Sequence, residues 1–372
     1  MDFIYLSEED MIRAGVKNMP RCIDTMEDTL RLLNRGDYRL GGVTNSDHGL
    51  RTRFPEKSDI EDMPLNAPGR WFTAMPAYLG GKYHCFGFKT YGANQENSKK
   101  GIPRSVLMMQ LLDVETGAPM AFMSANVLSA MRTGGISGLF ARKFASPNAK
   151  KVAVIGPGVI GRYSLDGVMS VCKKIEEVSV YGRGEKNKQI FRDYCKKQGY
   201  TLKKYEECVS IENACKDADV IIAASSQAEK FVDYPLIDKG YLKQGACVIV
   251  TSAVRISRQY SDLEENNCVF VADDKRMYVE NRGIDANPET EEEKQTVTVK
   301  GALGEWLKAG KTVINLPEIV DTDDYQRNND MIYFCASGGI PIEDVSWAYE
   351  CYRKAVDEGI GIRLPVWEMS DL

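Results

Sequence analysis

Lys151-Val-Ala-Val-Ile-Gly-Pro-Gly-Val-Ile-Gly161 is the stretch that decides how this chain is read. Val152 to Ile155 form a short apolar run, which predicts a buried strand. Gly156-x-Gly158-x-x-Gly161 follows at once, and Tyr163 to Cys172 then carries helical apolar spacing. Set between a strand and a helix, the glycines have separate tasks. Gly156 permits the tight turn, Gly158 lets backbone approach a pyrophosphate, and Gly161 lets the helix lie close on the strand. The helix N-terminus offers unpaired N–H groups to the phosphates. Gly156, Gly158, Val159, Ile160 and Gly161 are therefore the expected dinucleotide loop; the alternative is a glycine-rich turn with no ligand.

Downstream of this stretch, strands and helices alternate. Val178–Tyr181, Val220–Ala224, Cys247–Val250 and Cys268–Val271 read as strands, with helices over Lys186–Gln198 and Ile211–Lys216. That alternation predicts an α/β fold with a doubly wound parallel sheet of the Rossmann type. The polar segment 277–300 reads as an exposed insertion. A strand at Ile332–Cys335 and a helix from about Asp344 to Glu358 close the chain.

Upstream the pattern differs. Phe3 to Leu6 is a strand, Ser7 caps a helix, and Ile23, Met26, Leu30 and Leu33 mark a second helix ending near Gly36. Residues 41–70 read as a long polar loop carrying Arg51, Arg53 and Arg70. Trp71–Met75, Cys85–Tyr91, Ser105–Leu112 and Met120–Met123, separated by turn signals, predict a mostly antiparallel sheet. One helix is then expected from Ser124, as cap, to Ser146, stopped by Pro147.

The bulk numbers limit the function classes. With 372 residues there is room for two domains, and 43% hydrophobic and 27% charged residues describe an ordinary globular chain. A net charge of −5 gives no reason to expect nucleic acid or an anionic membrane as a partner. No run approaches a membrane span, and Met-Asp-Phe-Ile-Tyr lacks a basic and apolar leader. Ten cysteines without a CxxC pair fit a reducing, cytoplasmic compartment. Only His48 and His84 are present, which disfavours a histidine metal site and a Ser-His-Asp relay, so no metal is expected. His84, beside Tyr83 and Phe86, is read as structural.

Two cations stand out. Lys89 lies in Phe86-Gly-Phe-Lys-Thr-Tyr; on an inward-facing strand position it needs an anion, which makes it a substrate clamp, whereas on the other face it meets solvent. Arg132 is the single charge between Ser124 and Arg142, on a helix crowded with small residues that admit another backbone or a ligand. Its planar fork suits a carboxylate or phosphate. Beyond the glycine loop, Tyr181-Gly-Arg-Gly-Glu-Lys186 has no carboxylate where one would hydrogen-bond the adenosine ribose. Arg183 and Lys186 supply positive charge instead, which favours NADP(H) over NAD(H), with Glu185 as the counterweight further into the turn.

The order of parts resembles the ornithine cyclodeaminase/mu-crystallin family over essentially the whole chain. It rests on the N-terminal strand domain, the Met131-Arg-Thr-Gly-Gly helix, the Val152–Gly161 stretch and the closing Ser337-Gly-Gly-Ile-Pro-Ile-Glu-Asp. The resemblance implies a homodimer acting on a small amino-acid or imino-acid substrate. It implies a substrate-binding and dimerisation domain from 1–124 with 338–372, and a dinucleotide domain over 125–337. It further implies that Lys89 and Arg132 hold the substrate carboxylate with a loop arginine, Arg53 or Arg51. Ser225 and Ser226 would line the cofactor cleft, and Ser337 would lie near the nicotinamide.

Cyclodeaminases of the family carry an aspartate after the strand matching Cys247–Val250 and a glutamate before the Met-Pro of the first domain. Here those segments read Thr251-Ser-Ala-Val-Arg-Ile-Ser and Phe72-Thr-Ala-Met-Pro. The pattern is thus closer to members that reduce imines or oxidise amino acids and opines with a nicotinamide cofactor. Ornithine or lysine cyclodeamination, and non-catalytic NADPH binding, are the alternatives.

Overall fold

In the structure, a computed structural model that describes residues 1–368 except 43, 44, 46, 47, 68, 227, 229, 263–266, 280–287 and 289, the chain forms two units. The first comprises Met1–Asn18, Leu32–Arg132 and Gly339–Leu372; the second comprises Met19–Arg31 and Thr133–Gly338. Two of these boundaries, Arg31/Leu32 and Arg132/Thr133, fall inside helices, and Gly338/Gly339 lies in the loop before the C-terminal helix, against boundaries expected at 124/125 and 337/338.

The first unit is a sheet backed by helix. Its strands are β1 (Asp2–Leu6), β2 (Tyr38–Leu40), β3 (Leu50–Thr52), β4 (Trp71–Leu79), β5 (Cys85–Ala93), β6 (Ser105–Asp113) and β7 (Pro119–Ser124), with a C-terminal strand Ile362–Pro365. The order is C-terminal strand, β1, β7, β6, β5, β4, β2, and β3 also pairs with β4. All pairings are antiparallel apart from β1 with β7. Alternation along β4 buries Thr73, Met75, Ala77 and Leu79 on one face. The C-terminal helix Pro341–Glu358 packs against β4, β5 and β6. Ser7 caps α1 (Glu8–Arg13) through a capping box, its hydroxyl accepting from the Asp10 N–H while the Asp10 carboxylate accepts from the Ser7 N–H.

Three expectations are corrected. The 41–70 loop contains β3, whose exposed three residues carry no alternating apolar signal and are recruited by pairing Leu50 with Ala74 and Arg51 with Thr73. Ser124 is not a helix cap but the last residue of β7, and the helix α3 spans Asn126–Phe144. Asn126 explains the delay: its side chain accepts from the Leu107 N–H at 2.9 Å and donates to the Ser105 carbonyl at 2.8 Å, bridging back to β6. The 277–300 segment is not exposed at its two ends. Residues 280–287 and 289 lie outside the described residues, whereas Met277, Tyr278 and Thr296 to Val299 are buried. There, Thr296–Thr298 pairs with Arg255–Ser257, and Thr298 caps the following helix.

The second unit carries a parallel sheet of eight strands among the described residues. Their order is Lys204–Glu207, Glu177–Tyr181, Lys151–Ile155, Val220–Ala223, Cys247–Val250, Ile332–Ala336, Cys268–Ala272 and Ile314–Asn315. Strand order reverses beside Lys151–Ile155, which is where an open α/β sheet leaves its ligand crevice. Each central strand is apolar on both faces, as burial under helices requires.

The small residues of α3 find their use here. Helix α2 runs over Met19–Arg35 and α4 over Val159–Val171. A Cβ on Gly134 would lie 2.3 Å from the Tyr163 carbonyl oxygen, and one on Gly167 would lie 2.0 Å from the Gly134 oxygen. Gly135 faces Cys22 of α2 in the same way, with 2.9 Å to its sulfur. The stripe therefore serves helix–helix approach, and the Ser137 and Ser164 hydroxyls meet across it at 3.0 Å. Among the described residues no helix is long and apolar enough to cross a membrane.

Gly167→Ala should force α3 and α4 apart and destabilise the protein by about 1–3 kcal/mol. Chemical denaturation against the unsubstituted chain checks this. An unchanged midpoint would show that the helices have room to yield.

Candidate active site

The glycine loop lines a cleft of about 360 Å³ in the second unit, together with Tyr181, Gly182, Arg183, Asn187, Ser225 and Ser226. Gly156 has φ +95°, and a Cβ there would lie 2.6 Å from the Ser225 backbone. A Cβ on Gly161 would lie 2.3 Å from the Gly156 oxygen, so Gly161 is a packing residue and does not line the cleft. At Gly158 a Cβ would meet nothing within 4 Å. That open space is what a pyrophosphate needs. Gly158 caps α4 without a side-chain hydrogen bond, leaving the first-turn N–H groups, headed by the half-exposed Val159 and Ile160, to receive an anion. The residues fit a dinucleotide.

Gly182 explains the missing carboxylate. A Cβ at that position would sit 2.5 Å from Pro157 Cδ, so Pro157 of the loop excludes any side chain there. Arg183 is exposed on the rim; Lys186 is exposed and does not line the cleft. Ser225 Oγ lies 3.4 Å from Ser252 Oγ, and the Ser252 hydroxyl reaches the Ala223 carbonyl at 3.3 Å. Ser337 does not line the cleft either. It is 4% exposed, its N–H bonds the Val250 carbonyl, and the next N–H, of Gly338, donates to Asp273 at 2.6 Å. Asp273 also accepts from the Tyr278 hydroxyl at 2.9 Å, so one fully buried carboxylate holds this turn.

The first unit contains an ion cluster. Lys89 sits in β5 between Met75 of β4 and Met109 of β6, under the C-terminal helix, and is 2% exposed. Its ammonium donates to Asp344 at 2.7 Å and to Ser129 at 3.0 Å. Arg132, 6% exposed, donates from Nε to Asp344 at 3.1 Å and from Nη1 to Glu343 at 3.0 Å. Burial pushes the Lys89 ammonium down to about 8 although Asp344 draws it up, and Arg132 adds to the depression. Burial also opposes the Arg132 charge, but Asp344 and Glu343 outweigh it and hold the guanidinium above its usual value. Burial raises Asp344, yet Arg132 and Lys89 hold its carboxyl below the usual range.

The cluster's surroundings are equally specific. Gly339 has φ +76°, and a Cβ there would lie 2.8 Å from the Arg132 guanidinium. His48 Nδ1 lies 2.6 Å from the Gly339 carbonyl oxygen. The Lys89 ammonium is 6.0 Å from the Tyr91 ring centroid, and the Arg51 guanidinium is 4.8 Å from that of Trp71. Arg53 is exposed, and Arg70 donates to the Leu65 carbonyl. His84, at φ +38°, meets Tyr78 and Glu115 on the surface, as a turn residue would.

Asp344, Glu343, Asp273 and His48 escaped the sequence reading. Glu343 and Asp344 belong to the closing motif that carries the resemblance, but an acid in a helix's first turn already has an explanation in the helix dipole, so the sequence did not mark them as partners of Lys89 and Arg132. Asp273 and His48 gave none at all.

A family profile described as the ornithine cyclodeaminase/mu-crystallin family matches residues 16–359. N-((2S)-2-amino-2-carboxyethyl)-L-glutamate dehydrogenase from Staphylococcus aureus is 26% identical over 98% of this chain and 99% of its own. Two solved structures share the fold. One is a Delta(1)-pyrroline-2-carboxylate reductase from Thermococcus litoralis with NADH and L-proline, at TM-score 0.75 and 24% identity over 97% of this chain and 99% of that one. The other is an archaeal alanine dehydrogenase dimer with bound NAD, at TM-score 0.75 and 20% identity over 99% of this chain and 100% of that one.

Removing one member of a buried ion pair leaves its partner uncompensated, so Asp344→Asn should cost about 3–5 kcal/mol of stability at neutral pH. The pH dependence carries a sign. With Lys89 at about 8 when folded and in the ordinary lysine range when unfolded, the unfolded chain binds more protons between those values. Stability from this group therefore rises with pH through that window. Asp344→Asn should extend the window to lower pH, and denaturation curves across pH 6 to 10 (a range of about four units) read it out.

Proposed function

Because the chain belongs to the ornithine cyclodeaminase/mu-crystallin family, we propose that it is an NAD(P)H-dependent oxidoreductase acting on the C–N bond of an amino or imino acid. The observation that carries this is the buried Lys89–Asp344 pair beside Arg132, with a lysine poised to titrate at about 8. When bound in the glycine cleft, the nicotinamide cofactor supplies or accepts the hydride. In the first unit, Arg132 and Lys89 bind the substrate carboxylate, aided by Arg51, which supplies the loop arginine. Asp344 orients Lys89 and keeps its proton available, and Ser129 fixes the ammonium's second direction. Lys89 delivers that proton to the nitrogen side of the reaction. A protonated imine is already electrophilic, so positioning contributes more than a strong acid would.

The finer readings follow from local features. NADP(H) is preferred over NAD(H), since Pro157 keeps the Gly182 position free of a carboxylate and Arg183 offers positive charge on the rim. The chain forms a homodimer. Phe72 and Val106 are exposed on the sheet face turned away from Lys89, and Phe122 of β7 is exposed as well. Exposed apolar surface of that kind marks an interaction face. The protein works in the cytoplasm, where its ten free cysteines, nine of them buried, stay reduced.

A panel of cyclic ketimines, 2-oxo acids with amines, and basic amino acids, followed at the NADPH absorbance, tests the reaction class. Ammonia release without net absorbance change would make the protein a cyclodeaminase, and tight NADPH binding without turnover would make it non-catalytic. Lys89→Met should lower kcat/KM by about a hundredfold or more while NADPH still binds. Reduction needs the charged form of Lys89, so its kcat/KM should fall as pH rises through about 8, while the reverse oxidation rises through the same pH. Separately, Arg183→Ser should reduce the NADPH-over-NADH ratio of kcat/KM by about tenfold, roughly 1.4 kcal/mol. A wild-type preference for NADH would sink the cofactor reading.

A further inference from the structure

Beside the ion cluster, the first unit holds donors that nothing satisfies. Trp71 Nε1, Thr73 Oγ1 and Arg104 Nε are buried and have no hydrogen-bond partner among the described residues. Thr73 is only 5% exposed. Trp71 and Thr73 alternate along β4 and so share a face. On that face Thr73 pairs with Arg51 of β3 and Tyr91 of β5, and the next residue along, Met75, pairs with Lys89. The Arg51 and Arg104 guanidinium carbons lie 4.8 and 5.7 Å from the Trp71 ring centroid. Thr73 thus lies one step along the sheet from the Lys89 row and Trp71 two steps, with Arg104 against the Trp71 ring.

The charges differ between the two places. Lys89 and Arg132 face Asp344 and Glu343, two bases against two acids. Burial lowers the Arg104 pKa, with the Tyr91 hydroxyl opposing that shift. A water molecule would satisfy an orphan hydroxyl, but for the Arg104 guanidinium, whose Nε finds no partner among the described residues, an anion is the stronger match. An acceptor-only group with negative charge satisfies both, and a carboxylate has two oxygens to share among Arg104, Thr73 and Trp71.

We propose that Arg104, Thr73 and Trp71, bordered by Arg51, form a second anion position that takes a distal carboxylate of the substrate, so that the enzyme acts on dicarboxylic amino or imino acids. This rests on the C–N oxidoreductase reading. Residues two apart in a strand are separated by about 7 Å. That step lies between the row of Lys89 and the row of Thr73, and it suits carboxylates joined through a few carbons.

The test compares glutarate with pentanoate, matched in length but differing by one carboxylate, and adds inorganic phosphate as a free anion. Calorimetric titration of the full chain with NADPH present should give glutarate about tenfold tighter binding than pentanoate. Arg104→Met and Thr73→Val should each bring the two acids towards parity, and Arg104→Lys should restore part of the difference. The proposal is overturned if wild type binds both acids equally, or if neither Arg104→Met nor Thr73→Val changes the ratio. Phosphate binding as tightly as glutarate, and lost with Arg104, also overturns it, because the position would then serve a free anion.

Kinetics with ammonium and either 2-oxoglutarate or 2-oxopentanoate separate the two readings. Equal kcat/KM for both acids refutes the second anion position and leaves the oxidoreductase assignment standing. An Arg104-dependent glutarate preference without turnover of either acid supports the anion position, and the oxidoreductase assignment then falls if the ketimines and basic amino acids of the panel also show no turnover.

Discussion

Two buried bases matched by two buried acids hold the first unit together. Lys89, Arg132, Glu343 and Asp344 are each at most 6% exposed. Each of these charges, if isolated, would cost several kcal/mol to bury, and only mutual pairing with good geometry offsets it. The members come from a strand, the end of the unit's stretch of α3, and the first turn of the C-terminal helix. The C-terminal helix must therefore dock on the sheet for β5 to bury its lysine. The same contact sets chemistry: Asp344 supports the Lys89 charge against burial and against Arg132, and the balance leaves its pKa at about 8. Structure and reactivity rest on one cluster.

The second unit depends on closeness rather than charge. Its helices approach until backbone oxygens meet glycines, and its sheet leaves a crevice where strand order reverses. The residues of the glycine loop divide the labour. Gly156 and Gly161 are needed by the protein itself, whereas Gly158 keeps space open that no described residue fills. Pro157 adds a constraint of its own by excluding a side chain at position 182, so the absent ribose carboxylate follows from packing in the loop. The Ser337–Gly339 turn is shaped from below by Asp273, a carboxylate far from it in sequence.

Legibility followed the strength of local signals. The strand–glycine–helix stretch, the alternating strands of the first sheet and the α2 stripe were readable because each has a period and a stop signal. β3 was not, since three exposed residues have no period, and its existence depends on β4 as a partner. The start of α3 was misplaced at Ser124 because a good capping residue does not announce that it ends a strand. The need of Lys89 for an anion was legible from its apolar surroundings. Which anion was not: the acids sought after Cys247–Val250 and before Met75 are missing, and Asp344 lies 255 positions away in the chain.

By itself the sequence determined the secondary elements with clear periodicity, the parallel α/β character of the second unit, the dinucleotide loop and the likeness to a family. These are local properties, set by spacing, capping and backbone freedom over a few residues. Tertiary structure alone decided which acids meet Lys89 and Arg132, that Gly182 is closed by Pro157, and that Trp71, Thr73 and Arg104 hold buried donors without a partner among the described residues. Those outcomes depend on register and on contacts between distant segments, and electrostatic balance in a buried place is a sum over neighbours that no local pattern contains.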